Sequence, residues 1–152
     1  MEELQVEKFI VEGLSVRTCN EYEMNPNSAK IGTHVAYVDS NVEIDYKSGS
    51  QAYSVYSNYQ SDVNGFYDVL MGSKEVSSSK VPLESVEVKA GKYLRFQSEG
   101  VVPECVINAW QEVWAYFSNE NCSHARAYTT DFELYESPTK VKDTLINSRL
   151  QR

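Results

Sequence analysis

The chain says much the same thing twice, and that repetition limits what it can fold into more than any other feature. "VEKFIVEGLSVR" (Val6–Arg17) resembles "ESVEVKAGKYLR" (Glu84–Arg95). Each is an alternating run, a glycine, then a second alternating run with an arginine four places on. The glycines, Gly13 and Gly91, are 91 − 13 = 78 positions apart. A proline opening a helical pattern follows each unit, and Pro26 and Pro103 are 103 − 26 = 77 apart. Nearly equal offsets at two features indicate an internal duplication.

The first half continues with "NPNSAKIGTHVAYVDSNV", where Ile31, Val35, Val38 and Val42 recur at helical spacing behind an Asn25-Pro26 start. "QAYSVYSNY" (Gln51–Tyr59) is a tyrosine-rich strand, in which Tyr53 and Tyr59 point one way and Tyr56 the other. The Asn64-Gly65 turn leads to the returning strand "FYDVLMG". A polar connector is centred near Ser77–Lys80. In the second half, "GKYLRFQSE" is a strand and "VPECVINAWQEVWAYF" a helix. Val106, Trp110, Val113, Trp114 and Phe117 form its apolar stripe, with Pro103 at the first turn. "ARAYTTDFELYES" is the strand that follows. These patterns predict one α+β domain over 1–152, with pseudo-repeats at about 3–76 and 81–148. The expected fold is tandem βαββ units forming curved antiparallel sheets, helices on one face, a central groove between the halves, and bulges or bends at the two glycines.

A net charge of −8 with only scattered Lys and Arg argues against direct contact with nucleic acid. The acidic, alternating N-terminus is not a targeting peptide, and no apolar run is long enough to span a bilayer, so a cytoplasmic location is expected. Three cysteines without CxxC spacing read as reduced thiols. Cys122 and His124 supply only two of the ligands a metal needs, and no metal or other cofactor is expected. His34 and His124 read as surface or helix-end residues. No GxSxG, HExxH or P-loop is present.

The strand "AYTTDFELYES" poses the functional question. Phe132 and Leu134 alternate with Asp131, Glu133 and Tyr135. On strand position alone, Glu133 is a solvent-facing carboxylate. Together, however, "AGKYLRFQSEG", the helix "VINAWQEVWAYF" and "RAYTTDFELYES" resemble the GyrI-like effector-binding domain, the ligand-sensing half of many AraC- and MerR-type multidrug regulators. The stand-alone members carried as integron cassettes are especially similar. The resemblance covers about Glu3 to Glu136, and its most specific part is the DFE-x-Y strand after the W-x-x-x-W helix.

That resemblance implies a ligand groove between the two units, walled by aromatic side chains, with an acidic residue at its base. Carried over residue by residue, the acid is Glu133, the helix tryptophans are Trp110 and Trp114, and the strand aromatics are Tyr56, Tyr93 and Tyr135. Trp114 also fits plain core packing. Glu133 is expected to be buried against a ring, with Phe132 pointing away from it, under the helix that bears Trp110. The implied partner is an amphipathic, cationic, drug-like molecule, bound for regulation or sequestration. Two other roles stay open: hydrolysis of a reactive small molecule with Glu133 as general base and Glu99 as second acid, and a gyrase-type protein contact. A homodimer is also open. The sequence departs from the family pattern twice. His34-Val35 stands where relatives carry a Leu-Trp pair, which leaves more room. The irregular tail "TKVKDTLINSRLQR" predicts a closing strand that is short, displaced or missing.

Overall fold

The alternating run at the N-terminus forms two strands in near continuity, β1 (Glu2–Val6) and β2 (Phe9–Cys19). In this computed structural model, which describes residues 1–98, 100–137 and 140–150, they are followed by helices α1 (Asn20–Met24) and α2 (Ile31–Asn41). Then come β3 (Val42–Glu43), β4 (Ala52–Ser57), β5 (Phe66–Ser73) and β6 (Ser78–Ser79). The second half comprises β7 (Glu84–Val88), β8 (Gly91–Gln97), α3 (Glu104–Ser118), β9 (His124–Ser137) and β10 (Lys140–Leu150). Strand–helix–strand–strand therefore occurs twice, as β2-α2-β4-β5 and β8-α3-β9-β10.

Eight strands form one antiparallel sheet in the order β1-β8-β10-β9-β4-β5-β2-β7. The halves meet at its centre, where β4 lies beside β9. They are joined again at the outer ends by an exchange. β1 pairs with β8 and β7 pairs with β2, so each half edges the other. The register runs on without a slip, from Glu2 opposite Arg95 through Val6–Gly91 and Phe9–Val88 to Gly13–Glu84. The expected connector is pinned: Ser78 and Ser79 pair with Glu43 and Val42 at the end of α2.

Side-chain alternation divides the core by face. Val11, Tyr53, Val55, Leu70, Tyr93, Phe132 and Leu145 pack on one side of the sheet, with no helical residue among them. On the other side, Leu14, Tyr56, Tyr67, Val69 and Met71 pack beneath Val38 of α2, while Leu94, Phe96 and Ile146 pack beneath Val113 of α3. Burying 22 apolar side chains among the described residues in this way supplies the main stabilising term of the fold. The face of α3 nearest the sheet is Cys105, Ala109 and Val113, one step round from the expected stripe. Small residues there let the helix settle close, and the large tryptophans project sideways toward α2.

Four expectations need correction. The tail is neither short nor missing, since β10 spans 11 residues and lies between β8 and β9. Its irregular pattern has a physical reason: Asp143 through Ser148 are all buried, so neither face is given to water and no alternation is required. Gly13 is not a bulge. It lies in a regular ladder opposite Gly72, and a Cβ there would sit 2.0 Å from the Met71 carbonyl oxygen, so the two backbones touch. His34 is buried on the sheet-facing side of α2, with Nε2 2.8 Å from the Leu14 carbonyl oxygen. Phe132 does point away from Glu133, but it packs on the helix-free face and not under α3.

Candidate functional site

Glu133 is set at the seam of the two halves. Its neighbours across the ladders are Ser54 on β4 and Thr144 on β10. It points to the helix side and is 1% exposed. Three donors converge on the carboxylate: the Tyr56 hydroxyl at 2.9 Å and the Tyr135 hydroxyl at 3.2 Å on Oε1, and the Trp110 indole N–H at 3.0 Å on Oε2. The rings of Tyr56 and Trp110 meet edge to face at 5.1 Å. Burial pushes the Glu133 carboxyl above its ordinary range, and the three donors partly oppose that rise. Burial and the adjacent carboxylate hold the Tyr56 and Tyr135 hydroxyls well above theirs, so both remain donors.

Above this cluster, between α2 and α3, lies a cavity of about 500 Å³. Ile31 and Val35 of α2 face Val106 and Ile107 of α3 across it, and Tyr56, Trp110 and Trp114 form aromatic wall. Val35 occupies the place where the resemblance anticipated extra room, and it borders this space. The Glu133 carboxylate does not itself line the cavity, because Tyr56 and Trp110 stand between. It acts on the cavity through them. A carboxylate accepting from a phenol O–H and an indole N–H pushes electron density into both rings, which makes their faces more attractive to a cation.

A second polar cluster shares the wall, and sequence reading missed it. Arg126 bonds Asp131 at 2.8 Å, with side-chain exposures of 6% and 0%. Tyr59 also donates to Asp131, and the Asn147 backbone N–H reaches the other carboxylate oxygen at 2.8 Å. The guanidinium lies 4.4 Å over the Tyr128 ring and 5.7 Å from the rings of both Tyr59 and Trp110. Alternation misplaced Tyr59. The chain leaves β4 at Ser57, and Asn58 takes a φ of 52°, which turns Tyr59 to the face that Tyr56 occupies. Asp131 shares the face of Glu133 in the sequence pattern, and that was the available signal.

Of the residues singled out from sequence, Glu133, Trp110, Trp114 and Tyr56 come together here. Tyr135 joins the carboxylate from below the cavity wall. Tyr93 does not join them. It projects to the helix-free face, where its hydroxyl donates to the Lys89 carbonyl at 2.6 Å and contacts Thr130 Oγ1 at 2.8 Å. It sits at an odd position of β8, opposite in direction to Leu94 and Phe96 under α3. Glu99 lies outside the described residues. His124 bonds Tyr116 and Glu3, not a metal set, and no cluster of three or more His, Cys, Asp or Glu suited to a metal occurs among the described residues. Nor is any helix among them long and apolar enough to cross a membrane.

Comparison with known proteins gives a consistent result. The sequence model of the integron-associated effector binding protein family matches residues 4–150. An integron cassette protein from the mobile metagenome of Vibrio cholerae is 38% identical, with a TM-score of 0.84 over 97% of this chain and 95% of that one. The structure of SAV2435 bound to tetraphenylphosphonium shares the fold at 12% identity, with a TM-score of 0.63 over 97% of this chain and 93% of that one. A putative transcriptional regulator of Bacillus subtilis, YobU, is 32% identical over 91 residues, covering 58% of this chain. The matched stretch is 54% of that protein, so the chain spans about half the length of this curated relative.

Proposed function

The chain belongs to the integron-associated effector binding protein family, and from that premise we propose that it captures amphipathic aromatic cations in the cavity between α2 and α3. Glu133 supplies the counter-charge through Tyr56 and Trp110. The observation that carries this reading is the buried carboxylate held by three aromatic donors directly beneath a largely apolar cavity. A desolvated negative charge is poorly satisfied by neutral donors alone, so a cation entering nearby gains more than it would in water. Each good ring contact adds about 0.5–2 kcal/mol. The aliphatic walls contributed by the two helices select by bulk and not by fine shape, which suits a site that accepts several compounds. Release or capture of such a compound is the signal that regulation or sequestration would use.

Hydrolysis is less well supported. A general base needs a water against its carboxylate, and on Glu133 the Tyr56, Trp110 and Tyr135 donors occupy that space.

The test is a titration read by tryptophan fluorescence, since both tryptophans of the chain border the cavity. Tetraphenylphosphonium should quench with a saturable profile, and neutral triphenylphosphine oxide should bind far more weakly. Glu133→Gln keeps the shape: its carbonyl can accept from Trp110 while the two phenols rotate to accept from its amide. That change should weaken phosphonium binding by about 1–3 kcal/mol and leave the neutral compound almost unaffected. Equal losses for both would show that Glu133 shapes the cavity without selecting charge.

A further inference from the structure

Gly32 is a glycine that the fold does not ask for. Glycine is required where φ is left-handed or where another backbone lies too near for a Cβ, as Met71 lies beside Gly13. Neither holds here. Gly32 belongs to the first turn of α2, its φ is not positive, and a Cβ added to it would meet nothing within 4 Å beyond its own stretch of helix. Apart from proline, no residue suits a helix less well. The cavity supplies the reason that the helix lacks. Gly32 lines that space of about 500 Å³, beside Ile31 and three residues before Val35, which border it too. Residues three apart share a helix face, so a side chain at position 32 would stand next to that of Val35. In its place the wall has a notch of bare backbone. Gly32 is exposed whereas Tyr56 is 8% exposed, which puts the notch at the outer lip and the aromatic rings over Glu133 deeper in.

We propose that Gly32 sets the size limit of the site: by leaving the lip of α2 open, it admits cations that carry a bulky group out of the plane of their charged rings. The proposal rests on the cation-binding reading above and narrows its ligand class to branched, non-planar aromatic cations. A charged ring system lying on Trp110 and Tyr56 fills the deep end. A substituent that stands off those rings must rise toward solvent between the helices, and at position 32 it meets no side chain. Apolar surface placed in the notch leaves water without displacing a packed group. A side chain at position 32 would take the same space, and close-packed walls give little to accommodate an overlap.

Pyronin Y and tetramethylrosamine carry the same permanently charged xanthylium ring system, and the second adds one phenyl group held out of that plane. Their binding, followed by dye anisotropy, isolates the effect of that group. The native protein should bind tetramethylrosamine at least as tightly as pyronin Y. In Gly32→Leu the ratio of the tetramethylrosamine to the pyronin Y dissociation constant should rise about tenfold or more, with Gly32→Ala between that variant and the native protein. Both variants place a better helix former in open space. Both should therefore melt at or above the native Tm while discriminating against the bulky dye. An unchanged ratio overturns the proposal, whether the two dyes are kept or lost together, as does exclusion of tetramethylrosamine by the native protein. A fall in Tm in either variant overturns it too, because the fold would then need the glycine. Each of these results leaves the cation-binding reading standing as long as the native protein takes up pyronin Y. If the native protein binds neither dye, that reading falls, and this one with it.

Discussion

At the scale of single residues, Glu133 has the most to reveal through pH. Its carboxyl is held above the ordinary value of 4.5, chiefly by burial. A carboxyl raised in the folded state contributes its stability in full below 4.5, and that contribution is lost as pH rises through the raised value. Ligand binding runs the other way, because only the ionised form attracts a cation. Affinity for tetraphenylphosphonium, whose own charge does not titrate, should therefore climb as pH rises from 4.5 through the raised value. Stability in the same interval should decline slightly. In Glu133→Gln both slopes attributable to this group should vanish, and thermal stability near neutral pH should be equal to or greater than that of the native protein. Parallel melts and titrations at stepped pH check both. The burial of this residue among aromatic donors was legible because a two-residue alternation put it on a face with Asp131 and Tyr135, and the resemblance said which face mattered. Arg126, Tyr59 and Tyr128 were not legible. Their positions depend on left-handed backbone at Asn58 and Tyr128, which alternation does not anticipate.

At the scale of elements, the final strand is where sequence and structure differ most. β10 looked like a frayed tail because its apolar residues have no period. Its place between two neighbours removes the need for one, and Asn147 is tied inside the sheet: it donates to the Lys92 carbonyl at 2.9 Å and accepts from Thr129. Truncation after Asn147 removes the pairings of Ser148, Arg149 and Leu150 with Arg126, Ala125 and His124. A loss of about 2 kcal/mol is expected, seen as a fall in Tm of about 6 °C in a calorimetric scan. Since Arg126 loses its strand neighbour, ligand binding should suffer at the same time. The glycine contact between β2 and β5 is less forgiving. A methyl group at Gly13 would overlap the Met71 carbonyl, and one at Gly72 would stand 1.8 Å from the Glu12 carbonyl oxygen. Gly13→Ala should cost about 3 kcal/mol or more, while Gly32→Ala on α2, with open space around it, should be neutral or mildly stabilising. Chemical denaturation of the two variants separates these outcomes. Helices α2 and α3 were readable from spacing, and α3 also from Pro103 at its N-cap, whereas Pro26 lies five residues ahead of α2 and opens no helix, and α1 was not anticipated. What could not be read was the one-step rotation of α3, which depends on Cys105 and Ala109 being small enough to approach the sheet.

For the whole molecule, the exchange of edge strands has consequences for assembly. Each half has a complete helix and inner strands, yet its outer edge is closed only by a strand from the other. Two polypeptides divided between Lys80 and Val81 should therefore be poorly soluble when produced singly, since β2 and β8 would each present an open edge. Produced together they should associate one to one and regain the tetraphenylphosphonium response, which co-purification with a tag on one piece would detect. Independent folding of either piece would contradict this. During synthesis the same arrangement fixes an order of events. Residues 9–73 can leave the ribosome and collapse, but β2 has no permanent outer neighbour until Glu84–Val88 has been made, and β1 must wait longer still for Gly91–Gln97. For that interval the nascent chain carries β1 unpaired and β2 paired on its β5 side alone. The rate at which the ribosome passes the serine-rich stretch at Ser77–Lys80 thus sets how long they stay exposed, and slow codons there should lower the soluble yield of a protein whose sequence is unchanged.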